Sequence, residues 1–230
     1  FASYQTMGHG RMKRVWVSPK GESLLFSILF KNKNIIDNFS SLSLLGAVTV
    51  FRFLSKYVSN VSIKWPNDVY VNDDKICGIL LEGVSNNSNI EIISLGIGIN
   101  INQSSFDIGL NATSLSLINN QKYNPKELLD IYLEIFEDEI NKLREAGKVV
   151  GLCHKYLQQF IRPGISTKEL DILAKKFIES KGCTCSFEGL YGFPGIICIS
   201  INVRDINISC SIHFKLYRSL LFLLFLRNRN

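Results

Sequence analysis

Missing from this chain are paired cysteines, a long apolar run and histidines set beside acids at metal-ligand spacing, and each absence removes a class of function. The six cysteines, Cys77, Cys153, Cys183, Cys185, Cys198 and Cys210, form no C-x-x-C pair of the zinc or thioredoxin kind, and no secretory leader precedes them. Reduced thiols in a cytoplasmic setting are therefore the expected state. His154 and His213 stand without acidic partners at ligand spacing, which argues against a metal centre built on them. The run Leu220 to Leu226 falls far short of the roughly 20 residues that a membrane helix needs, so no membrane span is expected. No internal repeat occurs. An initiator Met is also lacking. The chain opens at Phe1 inside what reads as a strand, and the expectation is a truncated N-terminus.

What is present suffices for a core. With 230 residues and 46% hydrophobic composition, the chain can bury one domain or one and a half, which excludes a disordered or fibrous class. The net charge of +6 is unevenly spread, with 12 Lys and Arg against 14 Asp and Glu in residues 1–140, and 14 against 6 beyond. The basicity belongs to the second part. No aromatic-interleaved basic motif accompanies it, so a solvated lysine surface explains it and no nucleic-acid partner is expected.

Gly21 to Phe30 is an apolar, β-prone run bounded by Gly and Lys and reads as a strand. Apolar residues at 42, 45, 48, 50, 51 and 54 predict an amphipathic helix over Phe39 to Tyr57. Ser62 to Val71 places a strand on either side of a Pro-Asn-Asp turn, and Asn72-Asp-Asp74 is a second turn before a strand from Lys75 to Glu82. Glu91 to Ile101 reads as a strand whose Gly96 and Gly98 let a ligand or another backbone come close. Asn124 and Pro125 start a helix running past Leu143 and on to Phe160. Arg162-Pro-Gly164 breaks it, and Thr167 caps a further helix to Lys181. Residues 203–230 show neither periodicity nor turn grammar.

Several stretches carry chemistry. Gln5-Thr-Met-Gly8-His-Gly10-Arg11 is the type of loop whose backbone N–H groups approach an anion while Arg supplies charge, and equally a plain turn. Lys64-Trp-Pro-Asn-Asp68 holds an acid on a Pro-containing turn, suited to a Mg²⁺ bridging nucleotide phosphates or to capping its own backbone. Lys75, just before Gly78, is a second cation on a strand edge or a solvated charge. Asn100 ends the Gly-Ile-Gly-Ile-Asn strand with an amide in reach of phosphate or ribose, or simply ends it.

Taken in order, Q-T-x-G-x-G-R, W-x-S-P-x-G, K-W-P-N-D, K-x-x-G-I-L-x-E and G-I-G-I-N resemble the catalytic domain of biotin protein ligases over residues 1–140. The resemblance implies an α+β fold, a mixed β-sheet packed by helices of the class II synthetase-like kind. It implies ATP-dependent activation of biotin to an adenylate and transfer to a lysine of a biotin carboxyl carrier protein, with ATP and Mg²⁺ required. Gln5, Gly8, His9, Gly10 and Arg11 fall on the loop that closes over biotin and the adenylate, with Arg11 facing phosphate. Trp16 matches a tryptophan set against adenine, where a flat ring stacks on a base, the plain alternative being a core tryptophan. Asp68 corresponds to the metal-associated acid. Lys75 corresponds to the lysine that steadies the biotin carboxylate and α-phosphate, and Asn100 to a nucleotide-contacting amide. Lys75 and Arg11 are the expected catalytic cations. Family members often dimerise, which implies a homodimer through a sheet edge. Two departures stand out. His9 replaces the usual Arg or Lys between the glycines, and the Ser-Thr-Asn segment that lines the biotin pocket belongs upstream of Phe1.

From Leu143 the text changes. Arg144-Glu-Ala-Gly-Lys148, Ile161 to Thr167, Glu169-Leu-Asp171 and Phe187 to Asn202 resemble the N-terminal portion of a type I methionine aminopeptidase, an incomplete α/β segment. The resemblance stops before that family's first active-site histidine and its metal ligands, so no peptidase activity is expected. The expected organisation is a ligase domain over 1–140, an aminopeptidase-like fragment over 141–202 and an unassigned tail over 203–230. Alternatives are a methionine aminopeptidase or an inactive gene-fusion remnant.

Overall fold

The computed structural model describes residues 1–31, 40–86, 89–185, 188–189, 192–201, 206–210 and 212–213. The expected helix start at Phe39 and the apolar run at 220–226 lie outside them. The described residues divide into two compact units, Phe1–Glu139 and those from Ile140 on.

In the first unit, β1 (Ser23–Phe30), β2 (Val61–Lys64), β3 (Asp68–Val71), β4 (Asp74–Asn86) and β5 (Asn89–Asn100) form one sheet in the order β1-β5-β4-β3-β2. The ladders between these strands are antiparallel, and parallel pairing enters through an isolated bridge from Lys75 to Ala112. Because strand side chains alternate between faces, register sorts the sequence into two surfaces. Leu24 and Phe26, Ile63, Val69, Cys77 and Ile79, and Ile97 and Ile99 share one face, all buried. Each large apolar side chain removed from water there contributes about 1.5–3 kcal/mol.

Two helices cover that face. α1 (Ser40–Leu54) approaches so closely that a Cβ on Gly46 would touch Leu95 and Ile79 at 3.4 and 3.6 Å. α3 (Pro125–Gln158) contributes Tyr132, whose ring meets Phe26 edge-on at 4.9 Å and Phe53 of α1 at 6.0 Å. Next to this aromatic layer, Arg52 Nε of α1 lies 3.1 Å from Glu139 Oε1 of α3, and the glutamate is fully buried. Asn124 opens α3 as expected, its Oδ1 accepting from Lys126 N at 3.1 Å.

The turns obey local chemistry. Asn60 and Asn72 both have positive φ, and each holds the other: Asn60 Nδ2 donates to Asn72 Oδ1 and Asn72 N to Asn60 O, both at 3.1 Å. The short helix α2 (Leu115–Asn119) escapes sequence reading because five residues show no period. Its cap is Ser114, whose Oγ accepts from Leu117 N.

In the second unit, the later part of α3 and α4 (Thr167–Ser180) accompany β6 (Thr184–Cys185), β7 (Ile197–Ile201), β8 (Ile206–Cys210) and β9 (Ile212–His213). β6 pairs with β9 and β7 with β8. Cys153, Leu157, Leu170, Ala174, Ile178, Cys183, Cys185, Ile196 and Ile197 make its core. Burial pushes the Cys185 thiol up to about 12, which suits an inert core thiol.

The structure corrects two expectations here. The cap of α4 is Ser166 and not Thr167. Ser166 Oγ accepts from Glu169 N while Glu169 returns a carboxylate to Ser166 N, a reciprocal box that requires an acid three residues on. Thr167 has Leu170 there. The tail is also not featureless, since β8 and β9 lie within it and are too short to show a period. Asp171 Oδ1 accepts from Ile196 N and Ile197 N at 2.8 and 3.1 Å, tying α4 to the start of β7. No helix among the described residues is long and apolar enough to cross a membrane.

Candidate functional site

Glycines interrupt the second face of the main sheet. Across it, Asp68, Gly78, Gly98 and Leu25 form one register row, and Leu80, Gly96 and Ser27 the next. Three glycines side by side leave a shallow floor on which something flat can lie. Trp16 uses it. A Cβ on Gly78 would come within 2.9 Å of Trp16 Cζ3 and one on Gly98 within 2.9 Å of Cε2, so the indole rests on both glycines. Its Nε1 is buried there without an acceptor.

A Gly98→Ala substitution is therefore expected to lift the ring and, as an overpacking change, to cost about 1–3 kcal/mol. Tryptophan emission in a Trp65→Phe background, which leaves Trp16 as the sole indole, should shift to longer wavelength. An unchanged spectrum would contradict the packing.

Lys75 reaches this face through a bulge. Val69 pairs with Cys77 but Tyr70 with Lys75, so Ile76 is an extra residue in β4. Simple alternation would place Lys75 with Cys77 and Ile79 in the core. The extra residue turns it the other way, and Nζ lies 2.7 Å from Asp68 Oδ1 and 5.8 Å from the centre of the Trp16 ring.

The glycine loop is a small hairpin. Trp16 N donates to Gly8 O at 2.9 Å, Gly10 N to Arg14 O at 2.7 Å, and His9 bridges to Val15. Gly8 is required because a Cβ there would stand 2.4 Å from the Trp16 carbonyl oxygen, and Gln5 Oε1 lies against the same spot. The amide of Gly10 is spent inside the hairpin, so it is not one of the backbone N–H groups that this loop can offer to an anion.

Two side chains tie the hairpin to the sheet. Arg11 Nη1 donates to Asn67 Oδ1 at 3.4 Å, while Asn67 Nδ2 donates to Ile79 O at 3.0 Å and Ile79 N donates to Asn67 O at 2.8 Å. His9 Nε2 lies 3.0 Å from Glu82 Oε1 on β4. Hydrogen bonding to Glu82, then to the Met7 carbonyl, raises the His9 pKa above the ordinary imidazole value of 6.5. The sign follows from linkage: the latch is fully made below that value and is lost as pH rises through the raised pKa. In a ¹H–¹⁵N titration of the imidazole, Glu82→Gln is expected to move the His9 midpoint down towards 6.5; a midpoint that stays or rises would refute the contact.

Asn100 is placed differently from the other expected residues. It is buried, and its Nδ2 donates to Thr113 O at 3.0 Å, while Thr113 N donates to Lys75 O at 2.9 Å. Ser23 Oγ to Gln103 Oε1 and Ser114 Oγ to Gln103 O, at 3.0 and 2.6 Å, continue this buried polar network. The amide nitrogen read as a nucleotide contact is thus committed to the backbone that anchors Lys75. Lys75, Asp68 and Trp16 come together, and Arg11 and His9 approach by way of Asn67 and Glu82. Sequence reasoning did not single out those last two, although both stand inside the quoted motifs.

Asp68 meets the Lys75 ammonium through Oδ1, one of its two carboxylate oxygens, and among the described residues no group of three or more His, Cys, Asp or Glu is gathered, so these side chains form no Mg²⁺ cage of their own.

An antiparallel sheet with helices on one face, and a glycine floor, the Lys75–Asp68 ion pair and a basic hairpin on the other, defines an α+β domain. Residues 1–100 match the Biotin/lipoate A/B protein ligase family and residues 141–211 match Metallopeptidase family M24. The M24 match extends past residue 202. Over 155 residues the chain is 34% identical to the bifunctional ligase/repressor BirA of Bacillus subtilis, covering 66% of this chain and 43% of that protein. Over 71 residues it is 52% identical to methionine aminopeptidase of Clostridium perfringens, covering 31% of this chain and 28% of that protein. The solved biotin protein ligase from Aquifex aeolicus in complex with biotin and ATP superposes with a TM-score of 0.56 at 26% identity, over 92% of this chain and 85% of that one. The chain thus spans less than half of its ligase relative and about a quarter of its aminopeptidase relative.

Proposed function

We propose that residues 1 to about 140 activate biotin as its adenylate, using ATP, and pass it to a lysine of a biotin carboxyl carrier protein. The observation that carries this reading is the glycine floor of the sheet with Lys75 turned onto it by the bulge, inside a segment of the biotin/lipoate ligase family. In the first step the biotin carboxylate attacks the α-phosphorus of ATP and pyrophosphate leaves. In the second the carrier lysine attacks the carbonyl carbon of the mixed anhydride and AMP leaves. Magnesium arrives as part of the ATP complex, as substrate.

Lys75 neutralises charge between carboxylate and α-phosphate, and Arg11, held by Asn67, brings a second cation from the hairpin. Trp16 keeps one face on the glycines and leaves the other for the adenine. Gln5, Gly8, His9 and Gly10 form the cover over biotin, and Asn100 steadies Lys75 through Thr113. Asp68, read from sequence as a Mg²⁺ ligand, is spent on Lys75. The setting that suits this chemistry is the cytoplasm. The second unit is read as an aminopeptidase-like segment, supported by its match to 28% of the clostridial enzyme.

The test is biotin-dependent exchange between ATP and pyrophosphate by the whole purified chain. Exchange that requires biotin supports the reading. None from a sample with a folded circular-dichroism spectrum overturns it in favour of a fusion remnant.

A further inference from the structure

We infer that Asp68 is a positioning residue for Lys75, which goes beyond the ligase reading while resting on it. The bulge at Ile76 aims Lys75 at the glycine face but leaves a flexible four-carbon stem to be fixed. Three features fix it. The Asp68 carboxylate stands 2.7 Å from Nζ, the Trp16 ring lies 5.8 Å away, and the floor at Gly78 is close enough that a Cβ there would lie 3.6 Å from Lys75 Cε. Exposed ion pairs seldom constrain anything, because solvent screens them and free rotation competes. This pair is different in setting: the side chains are 29% and 17% exposed.

Among the described residues Asp68 is shared with no other cation. Lys64 stands opposite it across the β2/β3 ladder, yet its Nζ lies over the Tyr70 ring at 5.1 Å. Arg11 donates to Asn67. The K-W-P-N-D turn thus delivers a carboxylate to one lysine, and the acid of that motif works through the lysine of the next.

Two measurements on the full chain test this. In the first, competitive labelling with an amine-directed reagent, read by mass spectrometry, compares Lys75 with the exposed Lys56. Asp68→Asn is expected to speed Lys75 labelling several-fold relative to Lys56, and Asp68→Glu, which keeps the charge, to stay near wild type. Equal Lys75 rates in wild type and Asp68→Asn overturn the inference, whatever the activity.

The second is biotin-dependent exchange in a double-mutant cycle. Asp68→Asn should lower exchange by about 10–100-fold, the scale of a misplaced catalytic group. In a Lys75→Ala background it should lower exchange no further, and the Mg²⁺ concentration for half-maximal exchange should be unchanged. Multiplicative losses with a raised Mg²⁺ requirement would make Asp68 a metal ligand and overturn the inference. Absence of exchange in the wild type would sink the ligase reading alone, with the labelling still deciding whether Asp68 holds Lys75.

Discussion

Lys75→Ala is expected to lower biotin-dependent ATP–pyrophosphate exchange by about 10²–10³-fold, the range found when one preorganised charge is removed from a developing anion. The loss should fall on turnover. Lys75 is anchored through its main chain, whose N–H donates to Asn111 O and whose carbonyl accepts from Thr113 N, both at 2.9 Å, and neither contact involves the side chain. Melting temperature should therefore stay close to wild type, apart from the modest effect of leaving Asp68 without its partner. Steady-state exchange and thermal denaturation on the same samples check both halves. An active Lys75→Ala variant would remove this lysine from the chemistry, and an unfolded one would recast it as structural.

The second large effect lies in the core. Arg52→Met removes the guanidinium 3.1 Å from a fully buried Glu139 and is expected to destabilise the first unit by about 3–5 kcal/mol, because one charge of a buried pair is taken away while the other stays in low dielectric. Surface methionines of similar volume cost far less, so a urea midpoint within error of wild type would show that the pair is only a neighbour contact. The prediction concerns stability alone. Neither residue is near the glycine floor, and exchange at temperatures where the variant is folded should be preserved.

Much of the first unit could be read from its residues because burial imposes a period. Leu24, Phe26, Ile97 and Ile99 alternate with residues of the other face, and the Gly-Ile-Gly-Ile run announces a strand that something approaches closely. The pairing of site residues could not be read in that way. Asp68 and Lys75 are separately conspicuous, but their contact depends on one extra residue in β4, and no spacing rule reveals that Ile76 is the odd member. Asn67 and Glu82 escaped for a related reason: each acts by what it meets across the fold, on a hairpin whose docking is tertiary. Asn100 was visible as a strand end with an amide, while its partner Thr113 lies 13 residues on in a loop without pattern. Ser166 and Thr167 are both cap-forming residue types, and what separates them is the reciprocal acid, Glu169, three residues beyond Ser166.

The bulge at Ile76 works as a phase shift in a two-beat pattern. Upstream of it the beat that faces the ligand side includes Lys75; downstream the same parity, Cys77 and Ile79, faces the core. What matters is therefore which residue of β4 stays unpaired. A strand that closed the bulge by setting Ile76 opposite Tyr70 would send the Lys75 ammonium towards the helices and leave Asp68 without it, whereas deleting Ile76 would make Lys75 and Cys77 neighbours and keep the lysine on the glycine side by parity.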